Sequence, residues 1–187
     1  MKQILIYLGS QPEKQQSLLR ALDPLHIRFT FLDDRALTHT LLSLLEHQPF
    51  DGQEKLSQPI PIDFMYFDEV SDDEIKMINV AMREQGITMP MKAVRTVHNE
   101  AWLLKDLLAE IQDEHEYFQI LESIHKQLQA SASYIIEDYT QDSWSIYEEA
   151  FIHAYETLQK QSSKEEAKHA LSNLLTAKEG LVFKRGS

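Results

Sequence analysis

Apolar and polar positions fall into two regimes along the chain. Up to about residue 95, short β-rich apolar runs alternate with segments of helical period. Gln3 to Leu8 is a nearly continuous apolar run closed by Gly9-Ser10, the pattern of a strand covered on both faces. Pro12 stands where a helix would open, and Leu18, Leu19 and Leu22 have the spacing of a buried helical face. Ile27 to Leu32 alternates as a second strand and ends at Asp33-Asp34. One leucine-rich helix is expected next, with Leu37, Leu41, Leu42, Leu44 and Leu45. Residues 47–61 hold Pro49, Gly52, Pro59 and Pro61 and read as a loop. Ile62 to Phe67 is the third strand, ending in Asp68-Glu69. Ser71-Asp72-Asp73-Glu74 is a capping box, in which serine and glutamate each satisfy an orphan amide. Its helix carries Ile75, Ile78 and Met82 and stops at Gly86, a suitable left-handed cap. Lys92 to Arg95 is a short fourth strand, and a long helix is expected from near Asn99, with Leu103, Leu104, Leu107, Leu108 and Ile111 on one side. Four strands alternating with four helices predict an α/β fold, a right-handed, doubly wound parallel sheet; analogy with other small open sheets suggests strand order 2-1-3-4.

After Glu116 the strand pattern ends. Phe118, Leu121, Ile124 and Leu128 continue a helical face, and Thr140 to Asp142 break it. Trp144 to Gln161 form another helix, with Tyr147, Ala150, Phe151, Ala154 and Leu158. Ser163-Lys164-Glu165-Glu166 is a second capping box, opening a helix with Ala167, Ala170, Leu171, Leu174, Ala177 and Leu181 inside. Three short helices predict a small antiparallel bundle. The expected organisation is an α/β domain over residues 1–117 and a three-helix module over 118–184.

Composition narrows the chemistry. The 187 residues are 43% hydrophobic and 26% charged, the profile of a foldable chain. There is no cysteine, which excludes disulfides, cysteine–zinc sites and thiol catalysis. The N-terminal apolar run is too short for a signal-peptide core, and no 18-residue apolar run occurs, so a cytoplasmic protein with no membrane contact is expected. The net charge is −12, with seven acids against six bases in residues 1–60, thirteen against five in 61–118 and ten against seven in 119–187. Such a surface repels phosphate backbones, so no nucleic-acid partner is expected. The acidic middle could attract a basic partner, or it could be an ordinary solvated surface.

Open parallel sheets bind ligands at the carboxyl ends of their strands, where this chain offers Gly9-Ser10, Asp33-Asp34, Asp68-Glu69 and Thr96. A phospho-acceptor receiver needs an acid pair after strand one and a lysine after strand five. Gly9-Ser10 replaces the acids and the fifth strand is missing. Neither GxGxxG nor GxxxxGK[ST] is present. Asp33, Asp34, Asp68 and Glu69 could converge on a hard cation, or serve as turn and cap residues. Two Glu-x-x-His pairs, Glu122 with His125 and Glu166 with His169, have the spacing of di-iron carboxylate helices. His169 falls on the solvent side of its helix, and His125 falls near the apolar stripe as a core residue. His115-Glu116 lacks a second histidine four positions after the first, and no serine sits in GxSxG. No catalytic residue, cofactor or metal is therefore expected. The candidate ligand-binding residues are Gly9, Ser10, Asp68, Thr96, His98 and Asn99, where helix-start amides could receive an anion or a small polar ligand. On the structural alternative, Asn99 caps the helix and Trp102 packs on the sheet edge.

Two resemblances follow from particular residues. Lys92-Ala93-Val94-x-Thr96-x-x-Asn99-x-x-Trp102 and the acidic helix reaching Glu114 make residues 1–118 resemble a bacterial domain-of-unknown-function family, which implies no activity. Asp138-Tyr139-Thr140-x-x-Ser143-Trp144, with Ala150, Ala154, Leu158, Ala170, Leu174, Ala177 and Leu181, resembles the three-helix module named for being found in various architectures. That resemblance covers about residues 118–182 and implies a spacer or binding unit, with Tyr139 and Trp144 as core and corner of the bundle. The functional expectation is a non-catalytic interaction or scaffold protein that docks a protein partner or a second copy. The alternative is a small-ligand sensor or enzyme using the crevice at the strand ends.

Overall fold

Residues 2–47 and 58–184 are described by the computed structural model, so most of the loop expected over 47–61 lies outside the described residues. The chain divides into two units, residues 1–112 and 113–187. The division falls inside one helix, five residues before the boundary expected at 118.

The first unit is built on four strands: β1 (Gln3–Leu8), β2 (Arg28–Leu32), β3 (Asp63–Asp68) and β4 (Met91–Val94). Their order is β2-β1-β3-β4, the order suggested by analogy with other small open sheets. Their directions differ from the expected all-parallel sheet. β1 and β2 are parallel, β3 and β4 are parallel, but β3 runs antiparallel to β1, with Gln3 opposite Asp68 and Leu8 opposite Asp63. The sheet is mixed.

A parallel return needs a crossover element that carries the chain back along the strands. Between β1 and β2 this is α1 (Gln15–Leu22) with its flanking 3₁₀ turns, and between β3 and β4 it is the thirteen-residue α3 (Asp72–Glu84). Between β2 and β3 the described residues hold a 3₁₀ turn over Asp34–Thr38 and the short helix α2 (Leu41–Leu45). The chain re-enters the sheet, as β3, at the end where β2 stops.

The single leucine-rich helix expected from Leu37 is in fact two pieces, a 3₁₀ turn over Asp34–Thr38 and α2, with extended backbone at His39 and Thr40 between them. The cause is a nonlocal pairing with the segment that precedes the fourth helix. Leu41 N donates to Trp102 O (3.0 Å), Leu42 N to Glu100 O (2.8 Å) and Leu104 N to His39 O (2.9 Å). The same bonds delay the long helix, expected from Asn99, so that α4 spans Leu104–Ala130.

Both sheet faces are buried, which is why the strands read as continuous apolar runs. On one face Leu5, Tyr7, Phe64 and Tyr66 pack with Leu37, Leu41, Leu44, Leu104 and Leu108. On the other, Ile4, Ile6, Met65 and Phe67 pack with Leu18, Leu22, Ile78 and Met82. α3 opens with the Ser71/Glu74 capping box and closes at Gly86, whose φ of +69° lets Ile87 N reach Met82 O (2.9 Å) and Gly86 N reach Arg83 O (2.9 Å).

In the second unit the later part of α4, α5 (Gln141–Gln159) and α6 (Lys164–Glu179) share one core of Ile124, Tyr147, Ala154, Ala167, Ala170 and Leu174. The alanines let α5 and α6 approach closely. Lys164 bonds Asp113 (2.6 Å) and Glu116 (2.8 Å), and Tyr117 donates to Ser162 O (2.8 Å), joining α4 to the turn between α5 and α6. At the other end Thr140 N donates to Val182 O (2.8 Å) and Lys184 N to Asp138 O (2.8 Å). Trp144 is half-buried, stacked on Tyr139 at 5.8 Å and set against Tyr147 at 5.6 Å, while Phe183 lies 4.6 Å from Tyr139.

Replacing Trp144 with alanine should cost about 2–3 kcal/mol, below the range for full burial because one side stays wet. Urea denaturation followed by circular dichroism checks this. An unmoved midpoint would show that the aromatic cluster carries no stability.

Candidate functional site

Reversal of β3 divides the residues expected to line one crevice. Gly9, Ser10, Asp33 and Asp34 lie where β1 and β2 end and β3 begins; Asp68, Glu69, Thr96, His98 and Asn99 lie at the opposite end of the sheet. Five strand steps separate the two groups, about 17 Å. The four acids Asp33, Asp34, Asp68 and Glu69 therefore do not converge. Among the described residues no group of three or more histidines and carboxylates is arranged to hold a metal ion.

At the first end the loop amides already have an anion. Asp63, almost fully buried, accepts from Ser10 N (3.1 Å) and Gln11 N (3.2 Å), and Lys14 Nζ lies 2.9 Å from its other oxygen. Burial pushes the Asp63 carboxyl up, but the hydrogen bonds from Lys14 and Ser10 outweigh it and hold the group below the usual carboxylate range. Gly9 N donates to Ile62 O (2.9 Å), and a Cβ at Gly9 would fall 1.8 Å from Ile60 O. Gly9 is there because two backbones meet. Nearby, the Tyr7 hydroxyl donates to Asp34 (2.8 Å) and receives Ile60 N (3.0 Å). Asp33 caps the following turn by accepting from Arg35 N (3.0 Å).

At the second end a cavity of about 510 Å³ is lined by Asp68, Glu69, Arg95, Thr96, Val97 and Glu100. Its guanidinium is shared: Arg95 lies 3.2 Å from Asp68 and 2.7 Å from Glu100, and the two carboxylates hold its proton more firmly than usual. Asn99 does not cap a helix, as the structural alternative had it. Its side-chain oxygen accepts from Thr96 N (2.9 Å) and the Tyr66 hydroxyl (2.7 Å), and its amide nitrogen donates to Val94 O (2.9 Å). It pins the turn after β4 to the sheet. Burial pushes the Tyr66 phenol up to about 12. His98 is exposed, and Trp102 is 40% exposed instead of packed on the sheet edge.

In the second unit a hollow lies on α5 and α6. It measures about 630 Å³ and is lined by Ser143, Ile146, Ala150 and His153 from α5, with His169 and Ala177 among the lining residues of α6. Ile146 is 64% exposed. His153 and His169 face each other edge-on across it at 6.3 Å. His169 is thus on the outer side of its helix, as its angle implies. His125, expected in the core, is exposed and meets the Gln129 amide at 2.9 Å. Ile146, Ala150 and His153 follow one another at four- and three-residue spacing, a second stripe beside the core stripe of Tyr147, Ala154 and Leu158. That second stripe was the signal for the hollow.

A family model described as a domain of unknown function, DUF3783, matches residues 63–118, from the start of β3 into α4. No curated protein and no solved structure gives a match. Among the described residues, no helix is long and apolar enough to cross a membrane.

Asp63→Asn should destabilise the first unit by about 3 kcal/mol, since Lys14 loses the partner of a largely buried ion pair. Because the folded carboxyl titrates below its unfolded value, this stability is present above about pH 4 and is lost as pH falls further. Urea midpoints of the two proteins should therefore converge in acid; a constant gap would contradict the assignment. For Tyr66 the sign is opposite. Its raised pKa makes stability fall as pH climbs from 10 toward 12, and Tyr66→Phe should flatten that part of the thermal-melting profile.

Proposed function

We propose that this is a non-catalytic interaction protein of the cytoplasm, in which an antiparallel three-helix bundle presents the α5–α6 groove to a protein partner. The observation that carries the reading is the groove itself: an apolar floor of Ala150 and Ala177 beside an exposed Ile146. An exposed isoleucine over a hollow of that size is the kind of surface that binding covers. The strand-end residues supply the complementary support. Asp63 takes the Ser10 amide, Tyr66 and Thr96 take the Asn99 oxygen, and two carboxylates take Arg95. A ligand at Asp68, Thr96, His98 and Asn99 would have to displace these bonds, so a sensor or enzyme at that crevice has less support.

Ile146→Glu tests the proposal without burdening the fold, because the side chain is mostly exposed. The variant should melt like the parent yet lose, by tenfold or more, the proteins that the parent retains in an affinity capture from its own cells. Thr96→Ala, at the other cavity, should retain them. Capture unchanged by Ile146→Glu, or lost with Thr96→Ala, would overturn the reading.

A further inference from the structure

The occupant of the groove can be specified from its edges. Ser143 and His153 are ten residues apart on α5, so the floor runs about 15 Å, the length of roughly three helical turns. On the opposite face of the same helix pair, α4 already packs with Leu121, Ile124 and Leu128. The outer face offers a second place of the same kind. Small side chains at Ser143, Ala150, Ala177 and Gly180 let a backbone come near, and Ile146 stands as a knob beside them.

Charge is placed along one edge with a seven-residue repeat. Asp142, Glu149 and Glu156 recur on α5 at the interval that keeps them on one side of the helix, and Glu149 lines the groove. Lys160 lies 2.8 Å from Glu156, whereas among the described residues neither Asp142 nor Glu149 makes an ion pair. On α6, Lys164 bonds Asp113 and Glu116, Lys168 bonds Glu165, and Lys178 donates to the Gln127 side chain. The groove therefore has an apolar floor and an acidic margin in which Asp142 and Glu149, but not Glu156, lack a counter-charge among the described residues.

We infer that the α5–α6 groove receives an amphipathic helix of another protein, one whose apolar stripe is flanked by lysine or arginine at heptad spacing. This rests on the groove being a docking surface. In coiled-coil packing such flanking pairs choose the partner and its orientation. A second copy of this chain fits less well. Its α3 exposes Met77 and Val80 in a helical stripe, but that helix carries Asp72, Asp73, Glu74 and Glu84 against Lys76 and Arg83. It would bring acid to acid.

The test uses the full chain and three labelled synthetic peptides, read by fluorescence anisotropy. The first is an amphipathic helix with leucine at a and d positions and lysine at e and g. The second has the same leucines and glutamate flanks. The third has the first peptide's composition with the leucine order scrambled. The lysine-flanked helix should bind at least tenfold more tightly than either of the others. Its binding should weaken tenfold with Ile146→Glu, and severalfold with Glu149→Lys or with added salt. Equal binding of the glutamate-flanked helix would overturn the basic partner while leaving the docking surface in place. Equal binding of the scrambled peptide would overturn it as unspecific charge attraction. If no peptide binds and the chain self-associates in sedimentation, with Ile146→Glu restoring the monomer, a second copy is the occupant. Absence of both peptide binding and self-association would remove the docking surface as well.

Discussion

The first unit depends on the antiparallel pairing of β1 with β3 at the centre of its sheet. Each of these strands then gains a parallel neighbour on its free side through a helical crossover; those crossovers cover one face, and α2 with the start of α4 covers the other. Asp63 anchors the pairing. It is the first residue of β3 and is bound by Ser10 and Gln11, the residues that carry the chain out of β1, so one carboxylate fixes where the two strands meet. A charge can be held there because two amides and an ammonium replace the water it gives up.

Local rules were legible in the sequence, and relations between distant segments were not. Ser71 with Glu74, Ser163 with Glu166, and Gly86 after Met82 each act within a few residues, and each plays the part its spacing implies. Strand positions were legible for a similar reason: strands covered on both faces leave apolar runs whatever their direction, while their order came by analogy with other small open sheets. The direction of β3 was hidden because an apolar run reads the same either way, and the short length of α2 was hidden with it. That length depends in turn on Leu41 and Leu42 bonding to Trp102 and Glu100, some sixty residues away. No periodicity records such a contact.

The expected ligand site divided for the same reason. Gly9 and Thr96 both follow strands, but the strands end on opposite sides of the sheet. The residues there stay informative as structural parts: Gly9 permits a close approach, and Asn99 ties a turn to Tyr66. The groove was half legible. Its α5 stripe can be counted in the sequence, yet only the packing of α5 on α6 shows that the core leaves Ile146 outside.

The α5–α6 pair is tied at both ends. At one, Lys164 and Tyr117 join the intervening turn to α4; at the other, Val182 and Lys184 pair with Thr140 and Asp138. Two helices joined only by a turn can splay at their open end. Here that end is closed, and Ser143 beside it receives Val182 N at 3.1 Å. The spacing of the groove walls is thus set before anything binds. An arriving helix meets a surface that has already given up its freedom, and the entropy of association falls mainly on the guest.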